Sequence, residues 1–439
     1  MQPNILFILA DDLGYADLSC YGRRDFTTPN IDRIAANGMR FMQAYANSAV
    51  CTASRVALIT GRYQYRSAVG LEEPLSSRLP RKLGLPPEHP TLPSILKQAG
   101  YRSALIGKWH LGSLPDFGPL QSGYDHFYGF RAGVLDYFTH KYGPPSSDTE
   151  DLWEGDVKIR QTGYLTNLLG NRAVDIVNGC ARSGQPFLLS LHFNAPHWPW
   201  EAPGDEAEAQ RLTSLFHFDG GTQRTYRRMI QQMDLQVGRV LQALDTSGVA
   251  ENTIIVFTSD NGDERYSDTW PFTGRKTELL EGGLRIPAVI RWPSRIPAGV
   301  VSDQMMISMD WLPTLLAAAG TAPDPDYPSD GINLMPWLTQ TAAPVPRSLY
   351  WRYKYADQQA AREGDWKYLK ILDNTFLFDV VEDPMERANL KERHRNVYDR
   401  LVTQWNEWNA TMLPLDPQSF TLGFTGAEFA DHFGVKAGA

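Results

Sequence analysis

The stretch NILFILADD (4–12) is a short apolar run, Ile5 to Ala10, that ends in two aspartates. Three later runs have the same build: SALIG (103–107), FLLSLHF (187–193) and TIIVFTS (253–259). Each run is apolar on both faces, which is typical of a strand in a parallel sheet that helices cover on both sides. Helical patterns separate them, at 30–38, 54–61, 91–100, 163–179 and 225–244. This alternation predicts a large α/β domain whose sheet is mostly parallel.

The pattern changes near residue 340. A Pro-rich connection, TQTAAPVPR (339–347), leads into three short runs separated by polar turns, at 348–353, 365–372 and 375–380. These runs predict a small antiparallel sheet. An amphipathic helix is expected over 391–411, with apolar residues at three- and four-residue steps: Val397, Leu401, Trp405 and Trp408. We therefore expect a large α/β domain over 1–340 and an α+β subdomain over 341–439.

Charge and cysteine content exclude some classes of protein. The chain has 439 residues, with 42 Lys and Arg against 50 Asp and Glu, a net charge of −8. This balance argues against a general nucleic-acid binder, which needs a basic surface. No run approaches the roughly 18 apolar residues of a membrane span. Three cysteines cannot form a disulfide framework, so a cytoplasmic protein is expected, or a periplasmic or secreted one if a leader was removed.

Polar side chains follow all four predicted strands. They are Asp11 and Asp12, then Lys108 and His110, then His197, then Asp260 and Asn261. Each group alone has a plain structural interpretation, because Asp and Asn cap helices and a Lys at a strand end is usually solvated. The carboxyl ends of parallel strands meet at one edge of a sheet, where ligands bind. Four such groups at four strand ends favour one shared site.

The residue types at this edge indicate its chemistry. Asp11, Asp12, Asp260 and Asn261 offer hard oxygen ligands, which suit Ca²⁺ or Mg²⁺ better than zinc. Positive groups and proton donors accompany them: Arg55, Lys108, Lys276 and the two histidines. A divalent cation with fixed positive side chains is the arrangement that a tetrahedral oxyanion requires, such as sulfate or phosphate.

The segment NSAVCTASRVALITGR (47–62) places a cysteine just before a predicted helix. Backbone N–H groups and the helix dipole favour an anion near Cys51, and Arg55 lies one helical turn later on the same face. The plain alternative is that Cys51 is a buried small apolar residue, which is the usual fate of a free cysteine. That alternative fits Cys20 and Cys180 well.

At these residues the sequence resembles the type I sulfatases, a branch of the alkaline phosphatase superfamily. The resemblance covers almost the whole chain and rests on DDLG, TTPNIDRIAANG, CTASR, GKWHLG, APHWP, SDNG, GRKTELLEGGLRIP and LFDVVEDPMERANL. It implies an alkaline phosphatase-like fold and the hydrolysis of aryl or carbohydrate sulfate monoesters. A phosphonate monoester or phosphodiester hydrolase of the same superfamily is the alternative. A silent binding protein is disfavoured, because it would be expected to lose a metal ligand or a cation.

The resemblance also implies roles for single residues. Cys51 would be oxidised to formylglycine by a formylglycine-generating or anaerobic maturation enzyme, and the aldehyde hydrate would be the nucleophile. Calcium would be held by Asp11, Asp12, Asp260, Asn261 and the oxygen at position 51. Arg55 would steady the hydrate, and His110 would be the base that collapses the sulfate ester. Sulfate oxygens would be bound by Lys108, His197 and Lys276, and His197 or Lys276 would protonate the leaving group.

One residue departs from the family signature, and the substrate contacts are less defined. The signature usually reads C-x-P-S-R, and Ala53 stands in place of the Pro, which leaves the extent of Cys51 oxidation to be measured. Substrate contacts are expected from loops at the same edge, at 136–142 and 262–275, and from the tryptophans beside His197. Trp198 and His140 are the predicted contacts, and the alternative is that these rings only cover the core. A small-molecule or saccharide sulfate ester is the expected partner.

Overall fold

The computed structural model describes residues 2–76 and 82–434. These residues form sixteen strands: β1 Asn4–Asp11, β2 Met39–Phe41, β3 Ala44–Tyr45, β4 Arg102–Lys108, β5 His126–Phe130, β6 Trp153–Glu154, β7 Val157–Lys158, β8 Phe187–Pro196, β9 Thr253–Ser259, β10 Ala288–Arg291, β11 Val300–Ser302, β12 Met306–Ile307, β13 Ser348–Tyr353, β14 Gln358–Glu363, β15 Trp366–Ile371 and β16 Asn374–Asp379. They also form ten α-helices: α1 Pro29–Ala36, α2 Cys51–Thr60, α3 Leu92–Gln98, α4 Leu165–Ser183, α5 Glu206–Ala209, α6 Gln223–Thr246, α7 Glu281–Leu284, α8 Trp311–Ala318, α9 Met335–Leu338 and α10 Arg395–Ala410.

Ten strands form the main sheet, in the order β11-β2-β10-β9-β1-β8-β4-β5-β6-β7. The four strands predicted from the apolar runs are neighbours at its centre, β9-β1-β8-β4, and every pair among them is parallel. Strand β10 runs antiparallel to both β9 and β2, so the sheet is mixed. The predicted fold class, a large and mostly parallel sheet between helices, is confirmed.

Helices cover both faces of this sheet, and β1 shows why. Its apolar residues alternate between two cores: Leu6 and Ile8 pack with α1, α4 and α6, whereas Ile5 and Phe7 pack with α3 and α8. Successive side chains of a strand point to opposite faces, so a strand that is covered twice must be apolar throughout. Each such side chain contributes roughly 1.5–3 kcal/mol when it is fully buried.

The C-terminal sheet is small and antiparallel, in the order β13-β14-β15-β16, as predicted for this part of the chain. Helix α10 packs on it through Leu401 and Trp405, two of the residues that the amphipathic pattern singled out. The second strand, β14, was not predicted, because its sequence QQAARE is mostly polar. It is nevertheless paired on both sides, by β13 and β15.

A buried ion cluster joins helix α7 to the C-terminal sheet. Lys367 of β15 has its Nζ at 3.0 Å from Glu281 Oε1 and at 2.8 Å from Glu386 Oε1. Arg285 pairs with the other oxygen of Glu281 at 2.6 Å. Removing one member of such a cluster leaves an uncompensated buried charge, which costs about 3–5 kcal/mol. The short helix α7 is thereby fixed against the C-terminal sheet.

Two further observations concern cysteines and membranes. Cys20, Cys51 and Cys180 are all free, and Cys180 is buried as expected while Cys20 is partly buried. Within residues 2–76 and 82–434, no helix combines the length and the apolar character needed to cross a lipid bilayer.

Candidate active site

The polar residues that follow the central strands meet at one edge of the sheet. The register of β1 and β9 pairs Ala10 with Ser259, so the two aspartates that follow Ala10 lie level with Asp260 and Asn261. The register of β1 and β8 pairs Asp11 with Pro196, which brings His197 to the same edge. Parallel pairing of the four strands therefore assembles the site that the sequence predicted.

Backbone geometry at Asp12 holds the first two strand ends together. Asp12 has a φ of +62°, a left-handed conformation that Asp adopts more readily than most residues. Its N–H donates to Asp260 Oδ1 at 3.3 Å, and Asn261 Nδ2 donates to Asp12 Oδ1 at 2.7 Å. Strained backbone of this kind persists where the surroundings fix it, as at functional sites.

Three buried ion pairs hold the carboxylates. Lys108 Nζ lies 2.6 Å from Asp11 Oδ2, Lys276 Nζ lies 2.6 Å from Asp12 Oδ2, and Arg55 Nε lies 2.9 Å from Asp260 Oδ2. Burial alone would raise the pKa of Asp12, but the positive charge of Lys276 holds that pKa below its ordinary value. The pKa of Lys276 lies above its ordinary value, because the attraction of Asp12 outweighs the effect of burial.

Cys51 is the first residue of α2, at the end where backbone N–H groups have no helical partner. Burial raises the pKa of its thiol to about 12, against the opposing effect of Lys108 and Lys276. The unmodified side chain is therefore a protonated thiol at neutral pH, which is a weak nucleophile. Its neighbour Thr52 donates to the His110 carbonyl at 3.2 Å and accepts from the Leu75 N–H at 3.0 Å.

The site has the residues that a hard divalent cation requires. Ligand atoms of Asp11, Asp12, Cys51 and His197 all lie within 4.8 Å of one another. Asp11 Oδ1 and Asn261 Oδ1 are buried oxygens without a hydrogen-bond partner among the described residues. Buried oxygens of this kind normally have a partner, and carboxylate and amide oxygens are ligands of Ca²⁺ and Mg²⁺. In contrast, both oxygens of Asp260 already accept bonds, from Arg55 and from the Asp12 N–H.

The two histidines are held as defined tautomers by backbone carbonyls. His110 Nε2 donates to the Leu75 carbonyl at 2.8 Å, while its Nδ1 is buried without a hydrogen-bond partner. His197 Nδ1 donates to the Trp198 carbonyl at 2.6 Å, and its Nε2 lies 3.5 Å from Asp12 Oδ2. Burial lowers the pKa of both rings, and the charge of Lys108 lowers that of His110 further. Both rings are therefore neutral in this arrangement, and His110 Nδ1 is a free acceptor.

Above these residues lies a cleft of about 330 Å³. At its base are Cys51, His110, His197 and Lys276. Its walls are formed by five other parts of the chain: Pro74 to Ser76, Gly133 and Val134, Tyr142 to Pro144, Trp198 with 213–216, and the C-terminal residues Phe420 and Leu422. Trp198 stacks on Phe216, with 4.5 Å between the ring centroids and 28° between the planes.

The family assignment follows from comparison with known proteins. Residues 3–321 match the family model described as Sulfatase, and residues 274–410 match the model described as N-sulphoglucosamine sulphohydrolase, C-terminal. The chain belongs to the sulfatase family. This sulfatase is thus a sulfuric ester hydrolase, as its motifs predicted.

Relatives of this sulfatase match it over most of its length. N-acetylgalactosamine-6-sulfatase of Homo sapiens is 35% identical, over 98% of this chain and 83% of that protein. The same enzyme of Canis lupus familiaris is 36% identical over 76% of this chain, an alignment that spans 65% of the dog protein. The crystal structure of Ps i-CgsB in complex with k-i-k-neocarrahexaose has a TM-score of 0.85 and 29% identity, with 98% of each chain covered.

Of the two side chains predicted to contact the substrate of this sulfatase, one lines the cleft and the other does not. Trp198 lines the cleft. His140 is not among the lining residues, because its ring is buried and its Nε2 donates to the Gly163 carbonyl at 3.0 Å. The loop that carries His140 reaches the cleft two to four residues later, at Tyr142 to Pro144. Trp270 of the second predicted loop is 65% exposed and does not line the cleft either.

Sequence reasoning missed Phe420 and Leu422. They lie in an irregular tail without periodicity, more than 360 residues from Cys51 in the chain. Local sequence patterns do not predict that such a tail returns to the site. Glu73 was also missed; it is a buried carboxyl that holds the tail in place.

Proposed function

We propose that this sulfatase hydrolyses carbohydrate sulfate monoesters, with aryl sulfates as the alternative class. The proposed nucleophile is formylglycine made from Cys51, and the proposed cofactor is Ca²⁺, or Mg²⁺ in its place. The observation that carries the proposal is the position of Cys51, at the first residue of α2 and within 4.8 Å of the ligand atoms of Asp11, Asp12 and His197.

The proposed cation site consists of Asp11, Asp12, Asp260 and Asn261. A divalent cation bound there supplies positive charge to the sulfate oxygens and favours the ionised form of the hydroxyl at position 51. Formylglycine supplies two hydroxyl groups on one carbon in its hydrated form, so that one can attack sulfur and the other can later expel sulfate. Asp260 also orients Arg55, whose Nε lies 2.9 Å from Asp260 Oδ2; we propose that Arg55 steadies the hydrate.

Two buried ammonium groups are proposed to bind the sulfate oxygens. Lys108 and Lys276 are each 2.6 Å from an aspartate oxygen and are almost fully buried. A cation held by those aspartates would neutralise them, which would leave the two lysines available to the anion of the substrate. Fixed donors in a site that excludes water stabilise developing negative charge strongly.

Proton transfer is proposed for the two histidines. His110 Nδ1 is a buried acceptor without a partner, so it can take the proton of the second hydroxyl when sulfate leaves. Lys276 Nζ is proposed to give a proton to the leaving oxygen of the substrate; His197 Nε2 is the alternative donor, and it must first take up a second proton, because the neutral ring carries its proton on Nδ1. The bond from His197 Nδ1 to the Trp198 carbonyl, at 2.6 Å, fixes the ring orientation for this step.

A carbohydrate is the proposed substrate class for two reasons. The human relative is an N-acetylgalactosamine-6-sulfatase, and the crystal structure of Ps i-CgsB is a complex with k-i-k-neocarrahexaose. The cleft of about 330 Å³ has the size of a small-ligand site, and apolar rings line it beside the polar base. Trp198 is proposed to contact the sugar. We also propose that residues 1–340 are the catalytic domain and 341–439 the C-terminal subdomain.

Mass spectrometry of the peptide that contains Cys51 tests the nucleophile. Formylglycine is about 18 Da lighter than cysteine, a covalent change that digestion preserves. Active enzyme without this mass change would refute the proposal, and the fraction converted measures the effect of Ala53. The same sample should release sulfate from sulfated sugars and nitrophenyl sulfate. A higher kcat/KM on a nitrophenyl phosphodiester would favour the phosphodiesterase alternative, and full activity of Cys51→Ala would exclude position 51 as the nucleophile.

A further inference from the structure

The C-terminal tail returns from α10 to the catalytic site. Leu413 N–H donates to the Tyr65 carbonyl at 3.0 Å, where the tail begins its return. Further on, Glu73 N–H donates to the Phe420 carbonyl at 2.9 Å, and Leu422 N–H donates to the Glu73 carbonyl at 2.5 Å. This pattern is a parallel bridge between Glu73 and Thr421. The tail therefore lies beside the segment that follows α2.

A buried carboxyl fixes this bridge. Glu73 is 1% exposed, and its Oε2 accepts hydrogen bonds from Thr421 Oγ1 at 3.0 Å and from the Lys354 N–H at 2.8 Å. Tyr353 adds a bond from its hydroxyl to the Leu422 carbonyl at 2.8 Å. The tail is thus held from both sides, by the segment after α2 and by β13, so its side chains keep a fixed position.

Two side chains of this bridged segment face the cleft that contains Cys51. Phe420 is 39% exposed and Leu422 is half-buried, and both line the cleft together with His197 and Lys276. The sulfate group of a substrate binds the charged residues at the base of the cleft. The organic part of the substrate therefore contacts the apolar walls. Aromatic and aliphatic side chains contact the apolar faces of sugar and aryl rings. The two family matches end at residues 321 and 410, before this segment begins.

We infer that Phe420 and Leu422 form a substrate-binding wall that selects the saccharide ring carrying the sulfate. The inference rests on the proposed function, because it assumes that the base of the cleft binds the sulfate group. The tail thus contributes to substrate specificity and takes no part in the chemical step. Phe420, which is the more exposed of the two, contacts the ring or its next neighbour at the mouth of the cleft.

The affinity of ligands for the Cys51→Ala variant tests the role of this wall, because it can be measured without turnover. Two probes are compared by calorimetry: N-acetylgalactosamine 6-sulfate, and inorganic sulfate, which has no ring. Phe420→Ala and Leu422→Ala should each weaken binding of the sugar sulfate about fivefold, the scale of one aromatic or aliphatic contact, and change sulfate binding less than about twofold. Phe433→Ala is the control, because Phe433 lies on the same tail, is 94% exposed and does not line the cleft.

Three results would overturn the inference. They are an equal loss of affinity for both probes, a loss no larger than that of Phe433→Ala, and a sugar sulfate that binds no more tightly than inorganic sulfate. Melting temperatures close to that of the parent show that the variants are folded. Failure of the proposed function has a different signature: the unsubstituted protein would release no sulfate from any ester, whatever these affinities are.

Discussion

Gln358 holds the carbonyl of Thr277, the residue that follows Lys276. Its Nε2 donates to that carbonyl at 2.9 Å, while its Oε1 accepts from the Leu279 N–H at 2.8 Å. Thr277 has a φ of +75°, which a β-branched residue rarely adopts, and its own N–H donates to the Ala49 carbonyl at 3.0 Å. A side chain of the C-terminal sheet thus stabilises a strained turn between Lys276 and the Cys51 segment.

Gln358→Ala should lower kcat/KM for a sulfate ester about tenfold, because the turn relaxes and Lys276 loses its position. Replacing Thr277 with Gly removes the strain, so the same Gln358→Ala change should have a smaller effect in a Thr277→Gly background. Steady-state kinetics on wild type, the two single variants and the double variant measures the coupling between the two changes. Gln359→Ala is the matched control. Equal losses for Gln358→Ala and Gln359→Ala, or no coupling to Thr277→Gly, would contradict a positioning role.

Removal of divalent cations should abolish turnover and lower thermal stability, since three buried carboxylates then share one site. Adding back Ca²⁺ at about 100 times its dissociation constant should stabilise the fold by about 2.7 kcal/mol through linkage. Asp11→Asn should reduce this gain, and Asp326→Asn, at an exposed position, should leave it unchanged. Thermal melts across a Ca²⁺ and a Mg²⁺ titration measure both effects. Identical Ca²⁺ responses for both variants would remove Asp11 from the site.

His110→Ala should slow turnover by about 10²-fold or more, because no other base replaces the unpartnered Nδ1. The attack on sulfur should be affected less than the later release of sulfate. Rapid mixing with nitrophenyl sulfate should then show a burst of nitrophenol followed by a slow phase. His89→Ala is the control, since His89 packs on Tyr327 and does not line the cleft. A uniform slowing without a burst would place His110 in the first step instead.

Glu73 should make stability depend on pH. Burial raises its pKa from the ordinary 4.5 to about 7 in the folded state. A raised pKa means that the stability contributed is complete below pH 4.5 and is lost as pH rises through 7. Glu73→Gln cannot ionise, so unfolding by urea should show wild type losing roughly 3 kcal/mol relative to this variant over that range. If the free energy of unfolding changes with pH in the same way for both proteins, Glu73 does not titrate in this range.

Much of the site could be predicted because it depends on local patterns. Apolar runs predict the four central strands, and parallel pairing necessarily brings their carboxyl ends together, which places Asp11 near Asp260. Strand β14 escaped prediction because its pairing on both sides, by β13 and β15, allows a polar sequence to form a strand. The orientation of His140 could not be predicted for a similar reason. It depends on a hydrogen bond to the Gly163 carbonyl, which is distant in sequence and which the fold brings near.

The ion cluster around Lys367 has a consequence for protein engineering. A chain cut before residue 341 would lose Lys367, and the partners of the Glu281 carboxylate that remain among the described residues would be Arg285 and the Tyr45 hydroxyl. The C-terminal sheet is therefore not an exchangeable module, although it folds from a continuous part of the chain. Chimaeras that recombine two sulfatases should take residues 281–386 from a single parent, so that the acids and their lysine are inherited together.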